Sequence, residues 1–431
     1  MKAVIMAGGK GTRISSVASD IPKPMICIGG KPVLEHELES LRDQGFTDII
    51  ITVGHLGAVI MDYFGDGSGM SPVTGKPFGV QISYFVEETP LGNAGALFQM
   101  KDDLTEEFLL LNADAMFDVD FNRFVSYHRR HGGMVTLFAH PNSHPYDSGL
   151  LVTDANGCVM QWLTKEDPRP EFYRNCVNAG LHVLSPEVLK IPVQTSRVDL
   201  DRQILKPLAG TGRMYTYSSP EYVKDMGTPD RYACVCRDYE AGLIASRNLK
   251  NPQKAIFLDR DGTINRHVGF LTDIDQFELL PGAAEAIQKI NASEYLAILV
   301  TNQPVIARGD VTREELQRIH DKMETLLGKK GAYLDAIYYC PHHPHKGYPG
   351  EVAELKIDCD CRKPKPGMLL RAAVEYGIDL STSWMVGDTQ QDVLAGCAAG
   401  CRTALISDAP EAYGQTLTAD SLLEVVDQIL K

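Results

Sequence analysis

Two apolar runs in this chain stop abruptly at chemistry-bearing residues, and they lie too far apart to share one core. The first, AVIMAGGKGTR at 3–13, breaks into glycines; the second, KAIFLDRDGTIN at 254–265, ends in carboxylates. After each, strand-like runs (DIIITVG, VQISYFV, EFLLLNAD; then LAILVTNQ, SWMVGDT, RTALIS) alternate with helix-like ones (LEHELESLRDQG; REELQRIHDKMETLLGKKG, GMLLRAAVEYG). That alternation predicts an α/β fold in each half, a mainly parallel sheet flanked by helices. A chain of 431 residues also exceeds what one hydrophobic core usually organises, so two domains are expected. The stretch 231–253 reads as helical until it breaks at Asn251 and Pro252. The boundary therefore falls near 245–253, giving domains 1–245 and 253–431. Ligands of such sheets bind at the carboxyl ends of the strands, where the distinctive residues fall.

A net charge of −14 argues against nucleic acid or an anionic membrane as partner. A compact anionic substrate stays open, because a few cations and backbone N–H groups make a local positive pocket. The N-terminal apolar run of about five residues is too short for a signal-peptide core, and no later run reaches about 18. A cytoplasmic protein with small-molecule substrates is expected, with homo-oligomerisation left open. Ten cysteines in such a chain point to buried thiols or a metal site rather than disulfides.

In the first half, Gly8, Gly9 and Gly11 let the backbone pass close to a phosphate, with Thr12 and Arg13 following. Taken alone, this is equally a tight strand–helix turn, and its spacing is neither a Walker loop nor a dinucleotide fingerprint. The set GGKGTR, IPKPM (21–25), GGKPVLEH (29–36), EETPLGNAGAL (87–97), NADAMFDVD (112–120), VNAGLHVLSP and KDMGTPDR resembles the sugar-1-phosphate nucleotidyltransferases. The resemblance implies a nucleotidyltransferase A fold and Mg²⁺ held by Asp114 and Asp225. It implies catalytic positive charge on Arg13 and Lys23, base contact near Gly92, and sugar contacts from Glu88 and Asn178. One departure is the Lys165–Glu166 order, where relatives commonly have Glu-Lys-Pro; Lys165 is assigned to the sugar phosphate.

In the second half, DRDGT at 259–263 closes its strand as the nucleophile motif of haloacid dehalogenase phosphatases does. A Rossmann-like fold follows from that resemblance, with Asp259 as nucleophile and Asp261 as proton donor and then base. Thr301 and Asn302 would bind the phosphoryl group, as would Lys363. Mg²⁺ would sit on Asp259, Asp261 and Asp388, with Asp392 in support.

Between these motifs lie CPHHP (340–344) and CDC (359–361). Cys340, His342, Cys359 and Cys361 form a Cys₃His set, two ligands on each of two loops, as a structural Zn²⁺ requires. His343 and His345 compete for the histidine position. The zinc loop, 340–361, could not order itself through apolar burial. With the following RKPKPGM it resembles the heptose-bisphosphate phosphatase branch, implying substrate contacts from Arg362 and Lys363.

SDIPKPM and the run VGHLG…YFGDG at 53–67 make the first half similar to D-glycero-α-D-manno-heptose 1-phosphate guanylyltransferases. Together the resemblances imply GDP-heptose synthesis: removal of the 7-phosphate from a heptose 1,7-bisphosphate, then transfer of GMP from GTP. The alternative is a nucleotidyltransferase for another hexose 1-phosphate fused to a phosphatase of a different monoester, such as histidinol phosphate.

Overall fold

A computed structural model describes residues 1–9, 21–408 and 411–431. By its contacts the chain divides into two units. One comprises Met1–Ala139, Leu151–Trp162 and Asn178–Asn248; the other, His140–Leu150, Leu163–Val177 and Leu249–Lys431. A single cut near 248 would give the two short stretches to the first unit, yet they group with the second. Within that second unit the backbone N–H of Tyr173 donates to the Thr325 hydroxyl at 2.9 Å, and that hydroxyl donates to the Tyr173 carbonyl at 3.1 Å.

In the first unit, Lys2–Met6 runs parallel to Asp48–Val53 on one side and to Phe108–Asn112 on the other. Gln81–Val86 adds a further parallel strand beside Asp48–Val53. Past Phe108–Asn112 the direction changes, because Val177–Leu184 pairs antiparallel to it. The sheet is therefore mainly but not wholly parallel. From Val135 to Leu163 three strands follow one another with only a short 3₁₀ turn between them. Without crossover helices, parallel neighbours are not readily made from consecutive strands. A separate ribbon pairs Ala115–Asp118 antiparallel with Tyr222–Asp225, placing Asp225 opposite Ala115, next to Asp114. Ala3, Ile5, Ile49, Ile51, Leu109 and Leu111 are fully buried in the core of this unit. Each large apolar side chain so buried contributes about 1.5–3 kcal/mol.

The second unit has six strands, in the order Ala336–Cys340, Tyr295–Asn302, Lys254–Leu258, Trp384–Gly387, Arg402–Ile406, Leu417–Ala419. Every pairing is parallel. Leu258 lies in register with both Leu299 and Val386. Asp259 and Asp388, each just past its strand, and Thr301, next to last in its own, consequently lie at one end of the sheet. Ile256, Phe257 and Leu258 are wholly buried, as expected for a strand covered on both faces. Helix Arg313–Lys329 begins with a capping box between Thr312 and Glu315, and helix Gln390–Ala399 with one between Thr389 and Asp392. Among the described residues no helix is long and apolar enough to cross a membrane.

Candidate active sites

In the first unit Lys23 stands between two carboxylates. Its Nζ lies 2.9 Å from Asp114 Oδ2 and 3.5 Å from Asp225 Oδ1, and Lys23 is only 9% exposed. The 3₁₀ turn Lys23–Met25, entered through Pro22, fixes the lysine backbone, while the 115–118/222–225 ribbon delivers both acids. Asp225 also accepts from Arg231 at 2.5 Å and from the Gly227 N–H at 2.8 Å. Burial pushes the Asp225 carboxyl up, but Lys23 and Arg231 outweigh it and hold the group below its usual range. Arg231 belongs to the KDMGTPDR motif, and its place on the first turns of helix Pro229–Glu240 is what turns it toward Asp225.

The remaining residues of the first site have varied surroundings. Gly8 packs against Glu87, whose Oε1 would lie 2.8 Å from an added Cβ, whereas nothing crowds Gly9. Gly11, Thr12 and Arg13 fall outside the described residues. Glu88 is exposed. Gly92 has φ +81° and approaches the backbone of Val198 so closely that a Cβ would meet its carbonyl oxygen at 2.3 Å. Backbone packing by itself is enough to require glycine there. Asn178 turns its Oδ1 to its own strand, accepting from the Gly180 N–H at 3.3 Å and lying 3.1 Å from His182 Nε2. Lys165 is exposed and belongs to the stretch Leu163–Val177, which groups with the second unit.

The second unit gathers Asp259, Asp261, Thr301, Asn302, Arg362, Lys363 and Asp388 around one cavity of about 210 Å³. Lys363, 2% exposed, places Nζ 2.8 Å from Asp259 Oδ1 and 2.5 Å from Asp392 Oδ1. Asn302 locks the lysine backbone, donating to its carbonyl and accepting from its N–H, both at 3.0 Å. Burial pushes Asp259 up to about 7 despite Lys363, and the neighbouring Asp392 adds to the rise. Asp388 is likewise raised to about 6, by burial first and Asp392 second. Gly262 (φ +82°) has to be glycine, since a Cβ would sit 2.0 Å from Asp388 Oδ2.

The acids that come together differ from those expected by one member. Asp259, Asp388 and Asp392 bring carboxylate oxygens within 4.8 Å of one another. The carboxylate of Asp261 points elsewhere, to Arg260 (2.9 Å), Asn265 (3.0 Å) and Gln303 (3.1 Å). Asp392 occupies the third place because its Oδ2 caps helix Gln390–Ala399, accepting from Thr389, which leaves Oδ1 facing the cluster. One observation favours a cation there: Asp388 Oδ1 is buried without a hydrogen-bond partner.

Cys340, His342, Cys359 and Cys361 converge as the two short motifs suggest. Their sulfurs stand 3.2–3.5 Å apart, and His342 Nδ1 is 3.3 Å from Cys361 Sγ and 3.6 Å from Cys340 Sγ. Disulfide bonding would need about 2.05 Å. Zn–S bonds of about 2.3 Å in a tetrahedron set ligand spacings of about 3.7 Å, close to those seen. His343 instead directs Nδ1 at the His345 carbonyl, 3.2 Å away, so the arrangement selects His342. The residues fit a tetrahedral thiophilic ion.

Residues 2–242, over half of the chain, match the family model described as nucleotidyl transferase, and residues 360–424 match the HAD-hydrolase-like model. The D-glycero-beta-D-manno-heptose-1,7-bisphosphate 7-phosphatase of Pasteurella multocida (strain Pm70) is 48% identical over 154 residues, 36% of this chain and 81% of that one. Its counterpart in Escherichia coli (strain K12) is 43% identical over 152 residues, 35% of this chain and 78% of the relative. The crystal structure of HddC from Yersinia pseudotuberculosis superposes with a TM-score of 0.46 at 24% identity, covering 55% of this chain and 99% of that one. The chain thus belongs to the nucleotidyl transferase family and, through its second domain, to the family of the heptose-bisphosphate 7-phosphatases.

Proposed function

We propose that the chain is a bifunctional enzyme of GDP-heptose synthesis. It removes the 7-phosphate of D-glycero-D-manno-heptose 1,7-bisphosphate, then transfers GMP from GTP to the heptose 1-phosphate with release of pyrophosphate. The observation that carries the first step is the cavity in which Asp259 meets Lys363 and the carboxylates of Asp388 and Asp392, in a chain 48% identical to a named 7-phosphatase over 154 residues.

At the second site a carboxylate oxygen of Asp259 attacks phosphorus as the ester P–O bond breaks, giving an aspartyl phosphate. Lys363, Thr301 and Asn302 face the charge of the transferring group, and Asp261 gives a proton to the leaving oxygen. Water then attacks the aspartyl phosphate, losing its proton to Asp261, and inorganic phosphate departs. Asp259 and Asp388, with Asp392 beside them, would hold Mg²⁺. Bound there, the ion supplies positive charge against the phosphoryl oxygens. The Cys₃His set would hold structural Zn²⁺ and pin the loop that precedes Arg362 and Lys363.

At the first site Lys23, with Arg13, would meet phosphate, and Asp114 and Asp225 would offer the hard oxygen ligands that Mg²⁺ takes. Bringing two anions together requires that their charge be neutralised and the attack held in line. The guanine base and the α configuration at C1 rest on the sequence resemblance of the N-terminal half. The names of the phosphatase relatives carry the β configuration. A cytoplasmic location fits such substrates.

The test is an assay with each anomer of the heptose 1,7-bisphosphate and each nucleoside triphosphate in turn, scoring phosphate and pyrophosphate separately. Phosphate with every nucleotide, and pyrophosphate with GTP alone, is expected from the α anomer. Pyrophosphate from another pair of sugar and base would replace the heptose or the guanine, and no phosphate from either anomer would sink the phosphatase assignment.

A further inference from the structure

The stretch HHPHKGYPGE at 342–351 holds too few apolar side chains to order itself by burial. Its surroundings order it instead. The Val352 N–H donates to the Ala307 carbonyl at 3.1 Å, joining the loop to the segment that follows Asn302. Gly309 (φ +77°) comes so close that a Cβ would lie 2.0 Å from the Gly350 carbonyl oxygen. Side chains extend this contact as a column of alternating rings and cations. The Arg308 guanidinium stands over the Phe270 ring, 4.1 Å from its centroid, and over the Tyr348 ring at 4.6 Å. Lys356 Nζ lies over Tyr348 as well, at 4.4 Å. The inner end of the column is fixed. The Lys356 side chain is 0% exposed, and its Nζ donates to the His345 carbonyl at 2.9 Å and faces Glu351 at 3.4 Å. Glu351 in turn accepts from the Gly347 and Tyr348 N–H groups at 2.9 and 3.0 Å. Arg308 is held too, since its Nε donates to Asp310 at 2.8 Å. The outer end is Phe270, which is 50% exposed yet lines the cavity that Asp259 and Lys363 share. A ring that lines a cavity and still meets solvent stands at its entrance.

We propose that Arg308 and Tyr348 are positioning residues of the phosphatase site, holding the Phe270 ring as a wall of the cavity mouth against which the body of a sugar phosphate rests. This rests on the reading of that cavity as the phosphatase site. Phenylalanine has no hydrogen-bonding group, so a half-exposed ring is held by what stacks on it. A planar guanidinium suits that task, because it stacks on aromatic faces as an ammonium does not. The phosphoryl group is assigned to Asp259, Thr301 and Lys363, which stand apart from the column. Losing the wall therefore weakens the hold on the sugar and leaves the phosphoryl chemistry in place.

The experiment measures phosphate release by the full-length protein from the heptose bisphosphate and from acetyl phosphate, whose small body leaves the mouth empty. Arg308→Ala is expected to raise KM for the heptose bisphosphate by about 3- to 30-fold, the usual worth of such ring–cation contacts. Its kcat should stay within about threefold of wild type, the signature of lost binding rather than lost chemistry. With acetyl phosphate neither constant should move by more than about threefold. Tyr348→Ala should behave like Arg308→Ala, whereas Tyr348→Phe, which keeps the ring, should match wild type. Phe270→Ala should raise KM as well, and adding Arg308→Ala to it should cost little more, because both act through one ring. A parallel loss with both substrates, an unchanged KM for the heptose bisphosphate, or additive losses in the double variant would overturn the positioning role. A wild-type protein that cleaves acetyl phosphate but no heptose bisphosphate would instead overturn the sugar-phosphate reading, and the proposal with it. Cleavage of neither would refute the phosphatase site itself.

Discussion

Each unit places a lysine between two aspartates, and the two triads differ in their exposure and in their charge balance. Around Lys23, the Asp114 and Asp225 side chains keep 44% and 36% of their exposure, and Arg231 adds a second cation. Two positive charges there face two negative ones among the described residues. Around Lys363, Asp259 and Asp392 are 12% and 1% exposed, and Asp388 joins them in the cluster. The one ammonium pairs with Asp259 and Asp392, Asp388 stands beside them half-buried, and Arg260 is taken by Asp261. The carboxyls respond in opposite directions, Asp225 held low and Asp259 pushed up to about 7. A lysine between aspartates therefore does not fix their ionisation; the number of charges and the access of water do. The first site is balanced until a nucleotide brings more negative charge. The second carries an excess of negative charge that a divalent cation would relieve.

The largest effect tests whether the two sites are chemically independent. Asp259→Asn removes the proposed nucleophile and should abolish phosphate release, a loss of more than about 1,000-fold, while pyrophosphate release from heptose 1-phosphate and GTP stays near wild type. Asp114→Asn should do the reverse. Either variant lowering both outputs would break the picture of two separate triads.

Zinc comes next in size. One zinc per chain is expected by elemental analysis, and Cys359→Ser should lower it and destabilise the second unit by several kcal/mol. Protein purified without chelators and holding less than about half an equivalent of metal would count against the Cys₃His assignment.

The smallest effect concerns charge excess. Asp388 has a folded value raised to about 6, above the unfolded value of about 3.9. Its neutral form is the one the fold prefers. Stability from this group is thus full below about pH 4 and is lost as pH rises through about 6. Asp388→Asn keeps the neutral form at every pH. In Mg²⁺-free buffer it should raise the unfolding free energy of the second unit at pH 8 by about 1–3 kcal/mol, with no gain at pH 4. Added Mg²⁺ should stabilise wild type and not the variant. A variant less stable than wild type at pH 8 would show that Asp388 is already satisfied as an anion.

Much of the second site could be read from the chain because parallel strands deliver consecutive motifs to one edge. Asp259, Thr301 and Asp388 each follow an apolar run, so their strands alone bring them together. The identity of the third clustered acid was less accessible. Asp392 lies one helical turn beyond the strand end, and its place depends on the cap it makes with Thr389. The Cys₃His set, His342 included, was legible from its two tight pairs, and the direction of each ring now separates His342 from its competitor His343. In the first half, alternation of strand and helix correctly signalled the parallel strands up to Phe108–Asn112. It could not foresee the antiparallel return of Val177–Leu184, since pairing direction is settled between segments distant in sequence.

What the sequence determined by itself is local: where apolar strands end, which carboxylates, glycines and thiols follow them, and hence the two reaction types and the Cys₃His set. The tertiary structure decided which group faces which. Arg231 meets Asp225, Lys363 bridges Asp259 and Asp392, and His320 reaches Arg260 across 60 positions of chain. These pairings come from burial: once water is excluded, every charge and donor must find a partner, and only the packed fold determines which partners are within reach.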